Sequence, residues 1–412
     1  LPRLHGEKMD SDELAALRTV NKADVYKAGF LAATLERTPD GITFQYLQTW
    51  LESDGPAVAS TLPLTSSPVQ RAGGALPAYF SGLLPEGRRL GALRREIKTS
   101  ADDELSLLLG VGGDVVGDVQ IVPTGSSIEE IRPRVQVTNF SEISFVQLLK
   151  EQGLKTERIG FAGFQDKVSA AVLNVPVAQR GERYILKLNP PEYPHVVENE
   201  AFFLQAAKLS GLNVAKARVV TDVDGERGLL VTRFDRIPTK DKPTIAVAVE
   251  DASQILGRPP ADKYLISTEE AFKALSELCL APLPAARNFV GQLAFAYLTG
   301  NGDAHAKNFS VLRPPDGEWL PSPAYDLPST YFYDDDSMAM SLHRRTRDFG
   351  GKDFVFLGEY LGLPERAVRR IITNINDRVG LWLPDIQKLP FTDTIKAKFI
   401  RHVNYRQMRL SQ

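Results

Sequence analysis

The stretch 300-GNGDAHAKNFSVL-312 places an Asp, a His, a Lys and an Asn within six residues, just after a long apolar run. That run, 284-PAARNFVGQLAFAYLTG-300, predicts a helix, and Gly300-Asn301-Gly302 ends it. NFSVL then resumes as a strand, so Asp303 falls in a loop at a helix C-terminus. Asp303 and Asn308 stand in D-x-x-x-x-N spacing, which phosphoryl-transfer loops use. In such a loop the Asp accepts or orients the hydroxyl proton and the Asn coordinates Mg²⁺. Four intervening residues let the loop point the Asp at the nucleophile and the Asn back at the metal. Read alone, the same residues also make a polar helix exit, because the spacing occurs often by chance.

Three other segments supply partners. In 323-PAYDLPST-330, Asp326 follows a short strand one hairpin after Asn308, where a metal-binding Asp would stand. Mg²⁺ takes few hard oxygen ligands and keeps waters, so one Asp and one Asn amide suffice beside ATP phosphates. By itself Asp326 would read as a turn cap. In 184-YILKLN-189, Lys187 lies in an alternating strand, and the next helix carries Glu198 and Glu200. A strand Lys paired with a helix Glu is an ATP-positioning arrangement. Glu200 is preferred, because Phe202-Phe203-Leu204 would fix its helix against the core. In 160-GFAGFQDK-167, Gly160 and Gly163 precede Gln165 and Lys167. Backbone N–H groups of such a turn can cradle phosphates, and Lys167 would add a positive charge. The segment matches neither G-x-G-x-x-G nor a Walker A sequence, and an ordinary β-turn is the simpler reading.

The bulk numbers set bounds. At 412 residues the chain is too long for one core and predicts two or three domains. A net charge of −2 gives no global pull toward nucleic acid or anionic membrane, so any basic surface must be local. The single cysteine, Cys279, excludes a disulfide framework and favours a reducing cytoplasm. No apolar stretch approaches the roughly 18–20 residues that span a bilayer, and the first residues show no signal-peptide core. Residues 1–22 read as a polar lead-in. Residues 23–134 read as strands and short helices, with DVYKAGFLAATLE and ITFQYL forming a hairpin around 38-TPDG-41. Residues 135–250 read as a β-rich layer with an inserted helix, preceded by a helix that Ser141 would cap. Residues 251–412 read as mostly helical, with a hairpin turning at PPDG. This is an α+β, bilobal plan, which by itself names no function.

Together these segments resemble the HipA-like serine/threonine kinases, the toxin halves of bacterial HipB–HipA toxin–antitoxin systems. The motifs 162-AGFQDK-167, 185-ILKLN-189, 198-ENEAFF-203, 231-VTRFDR-236, 301-NGDAHAKNFSVL-312 and 323-PAYDLPST-330 occur in family order. The segments 82-GLLPEG-87 and 104-ELSLLLGVGGDVVGDVQIVP-123 resemble the family's N-terminal coupling domain. The resemblance implies a bilobal protein-kinase-like fold: a β-rich N-lobe with a coupling subdomain, then a helical C-lobe.

It implies Asp303 as catalytic base, Asn308 and Asp326 as Mg²⁺ ligands, and Lys187 on the α/β-phosphates with Glu200 as its partner. Ala162, Gly163, Phe164, Gln165, Asp166 and Lys167 would face the phosphates. Val231, Thr232, Arg233 and Phe234 would line the adenine, with His305, Lys307 and Tyr325 beside the nucleotide. It further implies ATP and Mg²⁺ as cofactors, a HipB-like helix-turn-helix antitoxin, operator DNA reached mainly through it, and no membrane. The acceptor would be a translation factor, glutamyl-tRNA synthetase being the usual case, and the effect growth arrest and persistence. Many family members carry a self-phosphorylated serine where this chain has Gly160, which puts that off-switch in doubt; Thr156 and Ser169 are neighbouring hydroxyls. Other readings are a small-molecule or lipid phosphotransferase, and a DNA-bound co-repressor subunit. The last would use basic groups at Arg88, Arg89, Arg94, Arg95 and Lys98, and at Lys396, Lys398, Arg401, Arg406 and Arg409.

Overall fold

The computed structural model describes residues 11–128, 135–151, 172–179, 181–239 and 244–412. Its first layer follows from apolar residues in 22-KADVYK-27, where Ala23 and Val25 are fully buried. Five antiparallel strands lie in the spatial order Val69–Ala72, Gly41–Tyr46, Phe30–Thr38, Lys22–Lys27 and Val119–Pro123. The turn at 38–41 is where the sequence predicts it. The segment before it, expected as one strand, is itself a hairpin. It reverses at Ala28 and Gly29, whose φ values of 51° and 87° are left-handed. An Ala-Gly pair carries no Asn or Asp to announce such a turn. The helices Gly87–Ile97 and Glu104–Val111 cover this sheet, and Leu93, Ile97 and Leu108 join its core. Asp103 caps the second helix by accepting from the Ser106 N–H.

The second layer is a four-stranded antiparallel sheet in the order Leu173–Gln179, Glu182–Leu188, Arg227–Thr232, Ala217–Thr221. Leu186, Leu188 and Leu230 pack with Phe140, Phe145 and Leu148. Ser141 does not cap a long helix there. Asn139 accepts from the Ser141 N–H and starts a short 3₁₀ turn, Phe140–Glu142, and the helix Phe145–Glu151 follows. Asn is at least as good a cap as Ser, and it comes first. The segment 160-GFAGFQDK-167, expected as a turn, lies outside the described residues.

The C-terminal lobe is helical: Thr268–Leu278, Pro282–Thr299, Gly351–Tyr360, Glu365–Asp377 and Asp393–Ser411. Pro282–Thr299 is buried on nearly every side beyond its first turn, so its apolar residues run all round it. Gly351–Tyr360 starts at a Gly-Gly pair that reads as a turn in sequence. The hairpin after Asn308 pairs Ser310–Arg313 with Leu320–Pro321 and, on its other side, with Ala248–Asp251. The whole is an α+β molecule, β-rich at its N-terminal end and helical at its C-terminal end.

One buried ion network ties the N-terminal sheet domain to the rest. Arg233 and Arg236 donate to both Asp114 and Asp235 and to the Val115 carbonyl, and the Gly117 N–H donates to Asp235. Two residues of the basic groups are also structural. Arg406 is buried and donates to the carbonyls of Tyr297 and Asp336, and buried Lys396 donates to the Gln387 carbonyl. They leave the expected phosphate-facing surface because the core needs their donors.

Candidate active site

Period-two alternation puts Lys187 on the face of its strand opposite Leu186 and Leu188. That face meets the helix Val196–Leu209, whose Glu200, Phe203 and Ala207 repeat at helical spacing and are buried. Lys187 Nζ therefore reaches Glu200, at 2.7 and 2.9 Å from its two carboxylate oxygens. It also lies 3.0 Å from Asp326 Oδ1. Glu198 turns elsewhere, to Asn189 and Arg227. Burial alone would lower Lys187, but the charges of Asp326 and Glu200 hold it above its ordinary range. Burial pushes Glu200 up, to about 7, against the pull of Lys187, and Asp326 adds to the rise. One ammonium thus bridges two carboxylates.

The backbone around Asp326 is held from several sides. Asp326 itself sits at φ 55°, a left-handed conformation that Asp tolerates better than most residues. Asn199 exchanges two hydrogen bonds with the backbone of Ser329, at 2.9 and 2.8 Å, which couples the Glu200 helix to this segment. The Tyr325 hydroxyl donates to the Lys307 carbonyl at 2.8 Å, and the Asn301 amide to the Asp326 carbonyl at 3.4 Å.

The helix Pro282–Thr299 ends at Gly300, which adopts φ 69°. Gly302 has a different reason to be glycine: a Cβ there would lie 2.6 Å from the Ser337 carbonyl oxygen. Asp303 follows, almost fully buried. Its N–H donates to Asn301 Oδ1, and its carbonyl accepts from the His305 N–H and the Asn308 side-chain amide, each at 2.8 Å. That last bond fixes the plane of the Asn308 amide. The Tyr264 hydroxyl donates to Asp303 Oδ1 at 2.9 Å. His305 is buried, its Nδ1 has no partner among the described residues, and burial lowers it to about 4, so the ring is neutral. Lys307 points to the N-terminal domain, donating to the Gly82 carbonyl and pairing with Glu86 at 2.6 Å. Burial would raise Glu86, but Lys307 and Lys263 outweigh it and hold it at about 2.

Among the residues expected at an adenine pocket, Val231 and Thr232 close a strand beside Ile185 and Tyr184. Phe234 and Tyr325, both half-buried, face each other with ring centroids 5.5 Å apart. The Arg233 side chain is absent from that group, because it is spent on the Asp114–Asp235 network. The expected phosphate loop, Ala162 to Lys167, lies outside the described residues, as do Thr156, Gly160 and Ser169. Sequence reasoning did not find Tyr264 or Lys263, and Glu86 carried no role beyond its motif. No spacing could have marked them, since they reach the loop from distant segments.

The comparisons agree over nearly the whole chain. A model described as the HipA-like C-terminal domain matches residues 159–382, and one described as the HipA N-terminal domain matches 23–122. Y4mE of Sinorhizobium fredii, a protein named as a kinase, is 31% identical over 384 residues, 87% of this chain and 90% of that one. The serine/threonine-protein kinase toxin HipA of Shewanella oneidensis is 26% identical over 402 residues, 90% of each chain. The structure of HipA from Shewanella oneidensis MR-1, solved with HipB and operator DNA, superposes with a TM-score of 0.78 at 23% identity. It covers 94% of this chain and 97% of that one, a likeness of fold. Among the described residues no helix is long and apolar enough to cross a membrane. On the two family models and the 31% identity across its length, the chain belongs to the HipA-like kinase family.

Proposed function

We propose that this protein is an ATP- and Mg²⁺-dependent serine/threonine protein kinase of the cytoplasm, the toxin of a toxin–antitoxin module. Its acceptor is a translation factor, with glutamyl-tRNA synthetase first in line, and its effect is growth arrest and persistence. The observation that carries the reading is the meeting of Lys187, Glu200 and Asp326 within 3.0 Å, beside a loop that holds Asp303 and Asn308. Phosphoryl transfer needs positioning and charge neutralisation more than covalent help, and these are the groups that supply both.

The donor set suits Mg²⁺. Asp326 and the Asn308 amide oxygen are hard donors. Mg²⁺ needs few protein ligands where phosphates and waters complete its shell. When bound, Mg²⁺ would neutralise charge building on the phosphate oxygens. Lys187 would orient the α/β-phosphates while Glu200 holds it in place. Phe234 and Tyr325 would flank the adenine. Asp303 would accept the proton of the serine hydroxyl as it attacks. The 26% identity to the toxin HipA, and a fold shared with HipA in its complex with HipB and operator DNA, support a HipB-like antitoxin as partner and operator DNA through it.

The test is transfer of label from radiolabelled ATP to purified glutamyl-tRNA synthetase, comparing wild type with Asp303→Ala. Wild type should label the synthetase, and Asp303→Ala should lose at least about 100-fold in rate while still binding ATP. Failure of both proteins to bind ATP would remove the kinase reading. Labelling of another translation protein would keep the kinase and replace the acceptor.

A further inference from the structure

We propose that Tyr264 is the positioning residue of Asp303, and that the N-terminal domain fixes it there through Glu86. The inference rests on the kinase reading and deepens it. The Tyr264 hydroxyl donates to Asp303 Oδ1 at 2.9 Å. A donor fixed on one carboxylate oxygen sets the plane of the group, and so the direction in which Oδ2 meets an incoming hydroxyl. The Tyr264 ring also stands edge-on against His305, with centroids 5.2 Å apart and an interplanar angle of 80°. It touches the loop at two points, Asp303 and His305.

The segment carrying Tyr264 is anchored at two points. The Ala306 N–H, in the catalytic loop, donates to the Lys263 carbonyl at 3.3 Å. The Lys263 ammonium pairs with one oxygen of Glu86, and Lys307 takes the other. One carboxylate of the N-terminal domain thus grips the residue before Tyr264 and the residue before Asn308. Among the described residues, Glu86, Lys263, His305 and Asp326 are charged or titratable groups near Tyr264 and His305.

Tyr264→Phe keeps the ring against His305 and removes only the hydroxyl. Steady-state transfer from radiolabelled Mg·ATP to glutamyl-tRNA synthetase is measured for both proteins, with thermal midpoints alongside. The variant should lose about 10- to 100-fold in kcat, the scale of one hydrogen bond to a charged group. Its KM for Mg·ATP should stay within about twofold and its midpoint should not move. Unchanged kcat, or a raised KM with kcat intact, overturns the inference and leaves the kinase standing. A lower kcat that merely tracks a lower midpoint also overturns it. A wild type that binds no Mg·ATP and labels no translation protein overturns the kinase reading and this inference with it.

Discussion

Replacing Asp235 by Asn should weaken the seam between the N-terminal domain and the kinase body. Asp235 is 4% exposed and accepts four hydrogen bonds. Three come from guanidinium groups, at 2.7–3.0 Å, and one from the Gly117 N–H at 3.1 Å. Burial would raise this carboxyl, yet Arg233 and Arg236 pull it from 3.8 down to about 2. That displacement corresponds to about 2 kcal/mol of preference for the ionised form in the folded protein. The variant also faces an amide NH₂ toward donors and strands two buried arginines. Removing one partner of a buried pair costs about 3–5 kcal/mol. Asp114 still bonds both arginines, at 2.8 and 2.9 Å, so the lower end applies and about 3 kcal/mol is expected at pH 7.

Urea denaturation followed by tryptophan fluorescence reads the loss, with Trp50 reporting the N-terminal domain and Trp319 and Trp382 the C-terminal lobe. The pH dependence has a definite sign. A carboxyl depressed in the folded state contributes fully above its unfolded value near 3.8, and that contribution fades as pH falls toward about 2. The gap between wild type and Asp235→Asn should therefore be widest above pH 5 and shrink below pH 4. A loss under about 1 kcal/mol at pH 7, or a gap that is the same at pH 7 and pH 3, would refute the assignment of this network as the main electrostatic tie between domains.

Two other perturbations follow. Glu86→Gln releases Lys263 and Lys307 and should cost about 1–2 kcal/mol at pH 7, discounted for its partly exposed side chain; an unchanged urea midpoint would show that the clamp contributes nothing. His402, its ring tilted 38° against Tyr331 with centroids 4.2 Å apart and its Nε2 without a partner among the described residues, is lowered by burial to about 3, so folding favours its neutral form and stability is lost as pH falls below about 6.5; His402→Gln should remove about 2 kcal/mol of the wild-type loss between pH 7 and 4.5, measured by urea midpoints, and parallel curves would refute it.

Much of the site was legible because local spacing carries it. Asp303 and Asn308 share one short loop, and the glycines that shape it are in the same stretch. Lys187 alternates with Leu186 and Leu188, which alone predicts that it leaves the core face of its strand. Glu200 could be preferred over Glu198 because Phe203 and Leu204 tell which side of the helix is buried. Arg233 was misjudged for the opposite reason. Its motif stands at the hinge, but its partner Asp114 lies 119 residues away, and nothing local shows that the guanidinium turns to it.

The sequence by itself determined the elements and the chemistry of the loop, since periodicity and spacing are properties of neighbours along the chain. The tertiary structure decided which distant groups complete that loop. Tyr264 reaches Asp303 across 39 residues, and Glu86 reaches Lys263 across 177. Such contacts depend on how whole layers pack, and a side chain's address in the chain does not encode them. The carboxylate that Asp303 presents, the ammonium of Lys307 and the docking of the N-terminal domain are therefore one arrangement, made only when the three layers come together.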